Sequence, residues 1–370
     1  MVNAVAGNDD LTPAQVDALR KMLEDPAERL RSLYWIITKG DDDGELSMLF
    51  SPNAVQQQLV RDLWHRNLVL KARQRGITTL MTILWLDTAL FSKGPVFCGI
   101  VAHEKDAAEE IFRTKVQYAY DHLPAILRAE FPLKKSTTKE LVFAHNGATI
   151  RVATSMRSST IHRLHVSELG KIAAKYPAKA KEVLTGSVPA VPSTGILVVE
   201  STAEGQQGAF YDLSKIAQAT DETGRELSEK DYRFHFYPWW DAPEYSLDEH
   251  DLVPLSEVDH RYFNELESRI NRKITHGQRA WYVATRETDF SGDDTKMWQE
   301  YPSTPEEAFQ VSGEGHYYAD DMLALRIRGG IRDVPVLDVP VNTFWDIGRR
   351  DGCAIVFHQE IGRASCRERV

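Results

Sequence analysis

The sequence predicts an α/β fold, with a largely parallel central sheet and helices on its faces. Two observations carry that expectation. Between residues 68 and 200, short apolar runs alternate with helical patterns. Such alternation builds parallel strands joined by crossover helices. Within that stretch, Asn146-Gly147 lies between the strand-like segments Leu141-Val142-Phe143 and Thr149–Ala153. That is a strong turn signal and adds one antiparallel hairpin.

Taken in order, residues Leu11–Leu33 read as one or two amphipathic helices, opened by Thr12-Pro13. Asp41-Asp42-Asp43-Gly44 is a polar turn, so residues 1–50 form an N-terminal helical segment. Ser51-Pro52-Asn53 starts a helix that runs to about Trp64. The apolar run Leu68–Ala72 enters a Gly-containing turn and then the helix Thr78–Phe91. Val96–Ala102 is a strand, His103–Tyr120 is helical, and Arg163–Ser167 and Ile196–Glu200 are further apolar runs. Residues 51–215 make the core on this reading. The composition changes after Asp231, where aromatics and prolines cluster over Phe234–Trp240, and charged helices follow between Ser256 and Thr285. Pro302-Ser303-Thr304-Pro305 breaks the chain before Glu306–Phe309, so residues 216–335 form a subdomain and linker. A strand over Asn342–Ile347 opens a new unit, residues 336–360. Residues 361–370 fit no element and resemble a translated sequencing adaptor. They are read as non-native, a native basic tail being the alternative.

Composition narrows the classes. The 370 residues are 42% hydrophobic and 26% charged, enough for a real core and unlike a disordered chain. No stretch approaches the roughly 20 apolar residues of a membrane span. The N-terminus lacks the basic flank and apolar run of a secretory signal. A cytoplasmic protein with no membrane partner is expected. Cys98, Cys353 and Cys366 form neither a disulfide framework nor a metal-ligand spacing. A net charge of −10 disfavours passive coating of nucleic acid but leaves room for a local basic patch. Lys134, Lys135, Lys171, Lys175, Lys179 and Lys181 are the candidates, and each also reads as solvated surface.

Three stretches can carry chemistry. Lys71-Ala72-Arg73-Gln74-Arg75-Gly76-Ile77-Thr78-Thr79 lies between a strand and a helix. Helix-start N–H groups there attract an anion, Gly76 allows a close backbone approach, and Thr78 offers a hydroxyl to Mg2+. The usual G-x-x-x-x-G-K-[ST] pattern is incomplete, because Ile77 stands where its Lys belongs. Lys71, Arg73 and Arg75 are the nearby cations. Taken alone, the stretch also reads as a basic strand-to-helix turn. Leu164-His165-Val166-Ser167-Glu168 is a strand ending in a carboxylate, which can polarise an attacking water. A typical site has Asp then Glu; here Ser167 takes the Asp position. A helix-capping Ser with a first-turn Glu is the plainer alternative. Val198–Gly205 ends in small hydroxyl residues, Ser201 and Thr202, that can sense a phosphate or simply form a turn. Arg157-Ser158-Ser159-Thr160 can face a phosphate or be a surface turn.

In this order, the pieces resemble the phage terminase large subunit family. Lys71–Thr79 is similar to that family's variant phosphate loop, and Arg157–Glu168 to its R-x-x-T…h-S-E acidic motif. Glu200–Gly205 resembles its coupling motif, with Gly208-Ala209-Phe210-Tyr211 after it. Asn53 and Gln56-Gln57 stand where the family keeps an adenine-reading Gln. Tyr301–Phe309 resembles its Y-P-x-T-P-E-E-A-F segment, and Trp345-Asp346-Ile347-Gly348 the opening strand of its ribonuclease-H-like nuclease.

The resemblance implies a P-loop NTPase-like fold followed by the first strands of a truncated nuclease domain. It implies ATP and Mg2+ as cofactors, and ATP hydrolysis that drives double-stranded viral DNA into a procapsid. Its partners would be DNA, a portal protein, a small terminase subunit and further copies in a ring. Gly76, Thr78, Thr79, Arg75 and Gln57 would bind nucleotide, with Thr78 and Ser167 at the metal. Glu168 would position water, Lys71 or Arg73 would supply positive charge, and Ser201 and Thr202 would couple hydrolysis to movement. Asp346 would belong to an incomplete nuclease metal site, with Asp351 the other candidate, so this chain is not expected to cut DNA. A catalytically inactive assembly subunit and a helicase-like DNA-dependent ATPase are the alternatives. All of this requires the Gly76 turn and Glu168 to converge at neighbouring strand tips.

Overall fold

The computed structural model describes residues 13–39, 45–156, 160–248, 250, 253–310, 337–346 and 354–359. The chain forms two units, Met1–Val311 and Ser312–Val370.

In the first unit, helices Pro13–Glu24 and Pro26–Ser32 lead into an antiparallel pair, β1 (Trp35–Lys39) and β2 (Glu45–Leu49). The expected N-terminal helical segment 1–50 is therefore corrected in part, since its second half holds two strands. The run Ile36-Ile37-Thr38 is β-branched, and such residues favour strand over helix. The polar stretch Asp41–Gly44 lies outside the described residues.

Eight further strands make one sheet: β3 (Arg66–Lys71), β4 (Phe97–Val101), β5 (Leu133–Ser136), β6 (Glu140–Phe143), β7 (Thr149–Ala153), β8 (Arg163–Ser167), β9 (Ile196–Ser201) and β10 (Arg233–Tyr237). Their order is β10-β3-β9-β8-β4-β7-β6-β5. The first six are parallel to one another, whereas β6 runs antiparallel to β7 and β5 antiparallel to β6. The expected hairpin is present, with Leu141 opposite Ile150. Gly147 takes φ +70°, and the Asn146 amide donates to the Ala89 and Ser92 carbonyls. β10, from the expected subdomain 216–335, is an edge strand of this same sheet.

The pleat divides the core. Val69, Cys98, Ile100 and Val198 pack under helix Ile77–Phe91, whereas Leu68, Leu70, Leu164, Val166, Leu197 and Val199 pack on the opposite side. Strands covered on both faces read as continuous apolar runs, as Leu68–Leu70 of β3 and Ile196–Val199 of β9 do. Helix Ile77–Phe91 is buried along most of its length, so it is apolar nearly all round. Its one carboxylate, Asp87, is buried and satisfied. Arg29 donates to both of its oxygens at 2.8 Å, and the Tyr34 hydroxyl donates at 2.6 Å. This fork fastens the N-terminal helices to the core.

Beyond β10, Trp239 sits fully buried among Phe263, Trp281 and Tyr282, beside helices Glu257–Ile270 and His276–Asp289. Ser256 and Thr275 cap these two helices. Among the described residues, no helix is long and apolar enough to cross a membrane. In the second unit, β11 (Val341–Asp346) pairs antiparallel with β12 (Ala354–Gln359), placing Asp346 opposite Ala354. Asp351 and residues 361–370 lie outside the described residues.

Glu307, in the short helix Pro305–Ala308, is buried against Tyr262, whose hydroxyl donates to it at 3.0 Å. Burial pushes its carboxyl up to about 7 despite hydrogen bonds from Ser303 and Tyr262. The folded state therefore favours the protonated acid. Its contribution is full below the ordinary value near 4.5 and is lost as pH rises through 7. Glu307→Gln is expected to match the wild type at pH 4.5 and to exceed it by roughly 3 kcal/mol above pH 7. Urea midpoints across that range check this, and a difference independent of pH refutes it.

Candidate functional site

Three parallel strands end side by side, and each brings polar groups to its C-terminal tip. β3 ends in Lys71, β9 in Glu200 and Ser201, and β8 in Ser167, with Glu168 just beyond. The register sets Ser167 opposite Glu200 and Glu200 opposite Val69. Side chains alternate along a strand, so Lys71, Glu200, Ser167 and His165 share the face covered by helix Ile77–Phe91. That helix carries Thr78 in its first turn.

The groups meet closely. Lys71 Nζ lies 3.2 Å from Glu168 Oε1 and 3.2 Å from Glu200 Oε2. Glu200 Oε1 accepts from the Thr78 hydroxyl at 2.7 Å and from the Ser167 hydroxyl at 2.9 Å. His165 Nε2 stands 3.4 Å from the same oxygen. Glu200 is fully buried, whereas the Glu168 side chain keeps 17% of its exposure. Burial works to lower the Lys71 ammonium, but Glu168 and Glu200 more than reverse this and hold it above its ordinary value. Burial likewise works to raise Glu200, yet Lys71, His165 and Thr78 keep it below the usual carboxylate range. The cluster is therefore an ionised ammonium shared between two strands.

Thr78, two residues beyond Gly76, lies 3.3 Å from Ser167, the residue before Glu168, although β3 and β8 are not neighbouring strands. β9 lies between β3 and β8. Glu200 is accordingly the central group, and the sequence reading placed it only within a coupling motif. Its signal was a lone acid closing an apolar strand.

The loop is held from several sides. Gly76 has φ +70° and ends the turn as the residue before the helix, without a side-chain cap. The N–H groups of the first helical turn are thus open to an outside acceptor. The Gln56 amide donates to the Gly76 carbonyl at 2.7 Å and is itself locked in a capping box with Asn53. Gln57 instead donates to the Pro52 carbonyl at 2.7 Å. The Arg73 N–H donates to the Glu300 carbonyl at 2.7 Å, and the Tyr245 hydroxyl donates to the Arg73 carbonyl. The Arg73 side chain is half exposed, 4.0 Å from Glu300, while Arg75 is buried at 3.4 Å from Glu244. Of the three candidate cations, the one among the carboxylates is Lys71. Ile77 is buried in the core, and Thr79 is half-buried on the same helical turn.

Glu168 adopts a left-handed backbone, φ +59°, at the start of helix Leu169–Lys175. Such a conformation is costly outside glycine and is found at functional sites. Ser201 Oγ lies 3.4 Å from Glu168 Oε2 and accepts from the Gly170 N–H at 3.1 Å. A Cβ on Gly170 would meet Ser201 Oγ at 2.8 Å and the Thr202 carbonyl at 2.9 Å, so glycine permits this close approach. Thr202 is buried, with its hydroxyl unpartnered. Arg157 lies outside the described residues. Among the basic candidates, Lys171 approaches Glu168 at 3.5 Å, and Lys175 pairs with Glu104. Lys179 donates to the His103 carbonyl, and Lys135 pairs with Glu140.

Hydroxyl and carboxylate oxygens suit a hard cation such as Mg2+. Among the described residues, no group of three or more His, Cys, Asp or Glu could hold a metal by itself. A cation here would need oxygens from a ligand, as Mg2+ does at phosphate sites.

No protein-family model matches the chain, nor does any curated protein. Among solved structures, it is similar to the large terminase ATPase domain of Thermus phage P74-26. The identity is 17% and the TM-score 0.46, over 69% of this chain and 94% of that one. It is also similar to the large terminase of bacteriophage HK97. There the identity is 12% and the TM-score 0.44, over 76% of this chain and 54% of that one. These are likenesses of fold alone.

A Cβ at Gly76 would lie 2.6 Å from Gln56 Nε2, on a left-handed backbone. Gly76→Ala is expected to lower unfolding free energy by roughly 2 kcal/mol, from backbone strain and a weakened Gln56 contact. Chemical denaturation measures it, and an unchanged midpoint would show that the turn is not constrained as described.

Proposed function

We propose that this chain is the ATPase motor of a phage terminase large subunit, hydrolysing ATP to move double-stranded viral DNA into a procapsid. The observation that carries the reading is the convergence of Lys71, Thr78, Ser167, Glu168 and Glu200 where a glycine turn enters a helix. In this reading, the first-turn N–H groups and Gly76 cradle phosphates, and Thr78 and Ser167 face the magnesium. Magnesium, when bound, would neutralise phosphate charge. Glu168, the more exposed carboxylate, orients the attacking water and accepts its proton. Lys71 fixes Glu168 from below and supplies the positive charge that Ile77 cannot. Gln56 sets the turn through its bond to the Gly76 carbonyl. Ser201 and Thr202 link the carboxylate end of β8 to β9 and couple hydrolysis to movement.

The remaining parts of the proposal follow the order of motifs in the sequence. DNA, a portal protein, a small terminase subunit and further copies in a ring are the partners, in the host cytoplasm. The strand ending in Asp346 is the opening of a ribonuclease-H-like nuclease.

Steady-state ATP turnover with Mg2+ and linear duplex DNA tests the reading. Wild type is expected to turn over, and Glu168→Gln to lose on the order of 100-fold or more while still binding nucleotide. Absence of turnover in both proteins would reject the motor and favour a binding subunit.

A further inference from the structure

We propose that Glu200 is the positioning carboxylate of the metal site, acting from β9 in place of the acid that β8 lacks at Ser167. The inference rests on the ATPase reading above and identifies how its cation is held. Three features carry it. Glu200 stands in register beside Ser167, one strand nearer the phosphate loop. A single oxygen, Oε1, accepts from both hydroxyls that face the cation, Thr78 at 2.7 Å and Ser167 at 2.9 Å. Its other oxygen, Oε2, is fully buried, has no aligned hydrogen bond, and lies 3.2 Å from Lys71 Nζ.

A hydroxyl has one hydrogen and two lone pairs. With both hydrogens committed to Glu200, the lone pairs of Thr78 and Ser167 turn away from it, free for a cation. Glu200 thus orients two ligands at once. Nucleotide binding should then depend on Mg2+, because the two oriented hydroxyls serve the cation rather than the phosphates. Partners of metal ligands typically change metal affinity by about 10–100-fold when removed.

The test is binding of a fluorescent ADP analogue at increasing Mg2+, read as the half-saturating Mg2+ concentration. Glu200→Gln is expected to raise that concentration about 10–100-fold. Ser167→Asp in the Glu200→Gln background returns a carboxylate to the neighbouring strand and is expected to bring it back to within a few-fold of wild type. Circular dichroism and melting establish which variants fold. If Glu200→Gln alone does not fold, the double variant decides: a near-wild-type Mg2+ response supports the inference, and a loss beyond 100-fold overturns it. A folded Glu200→Gln with the wild-type Mg2+ response overturns it as well, leaving the ATPase reading intact. Wild-type protein that binds no nucleotide at any Mg2+ concentration overturns both.

Discussion

At the tips of β3, β9 and β8, the ammonium of Lys71 is shared by the carboxylates of Glu168 and Glu200. Ionised groups out of water persist only when paired and hydrogen-bonded, because desolvation costs several kcal/mol per ion. The surrounding architecture meets that demand. Parallel strands bring three chain segments within side-chain reach, helix Ile77–Phe91 closes one face, and Thr78 and Ser167 donate to the remaining lone pairs. Removing Lys71 would leave the buried Glu200 carboxylate without its countercharge, so the end of β3 and the sheet are fixed to each other through these side chains.

The same constraint explains why the loop is braced from outside the sheet. Its backbone is held by Glu300 and Tyr245, which belong to the aromatic cluster region around Trp239 and Tyr301. Gln56 holds it from the other side. A turn with Gln74 and Gly76 both at positive φ has little intrinsic preference for its shape. Tertiary contacts therefore determine it. The segment Tyr301–Phe309, legible as a motif, has a physical role here: it packs beside helices Glu257–Ile270 and Ala209–Glu222 and brings the carbonyl of Glu300 to the loop.

Much of this was legible in the sequence, but unevenly. Alternation of apolar runs with helical patterns indicated β3, β4, β8 and β9, because strands buried on both faces are mostly apolar. Asn146-Gly147 indicated the hairpin, because few residues tolerate the left-handed turn. The β1–β2 pair was hidden by strong helix signals before it. The position of Glu200 was hidden for a deeper reason. Sequence gives the order of strands along the chain and says nothing direct about their order across a sheet. With β9 expected outside the pair, Glu200 read as a strand end; with β9 between β3 and β8, it becomes the hub. Gln56 and Gln57 were likewise adjacent in sequence and separated by helical geometry, one turned to Gly76 and the other to Pro52.

Under the proposed ATPase reading, the departures from the usual pattern, Ile77 and Ser167, become one substitution rather than two defects. A lysine in the loop and an acid on β8 would place one positive and one negative group around the phosphate site. Here the positive group comes from the end of β3 and the negative group from β9, and they meet each other at 3.2 Å. Each relocated charge requires the other. Lys71 without Glu200 would be a buried cation with one partner at the solvent edge, and Glu200 without Lys71 would be a carboxylate in a closed core. Glu168 is thereby left as the carboxylate with access to solvent, held at φ +59° by the packing of Gly170 against Ser201. The left-handed backbone is kept there because Lys71, Lys171 and Ser201 together hold the side chain in place.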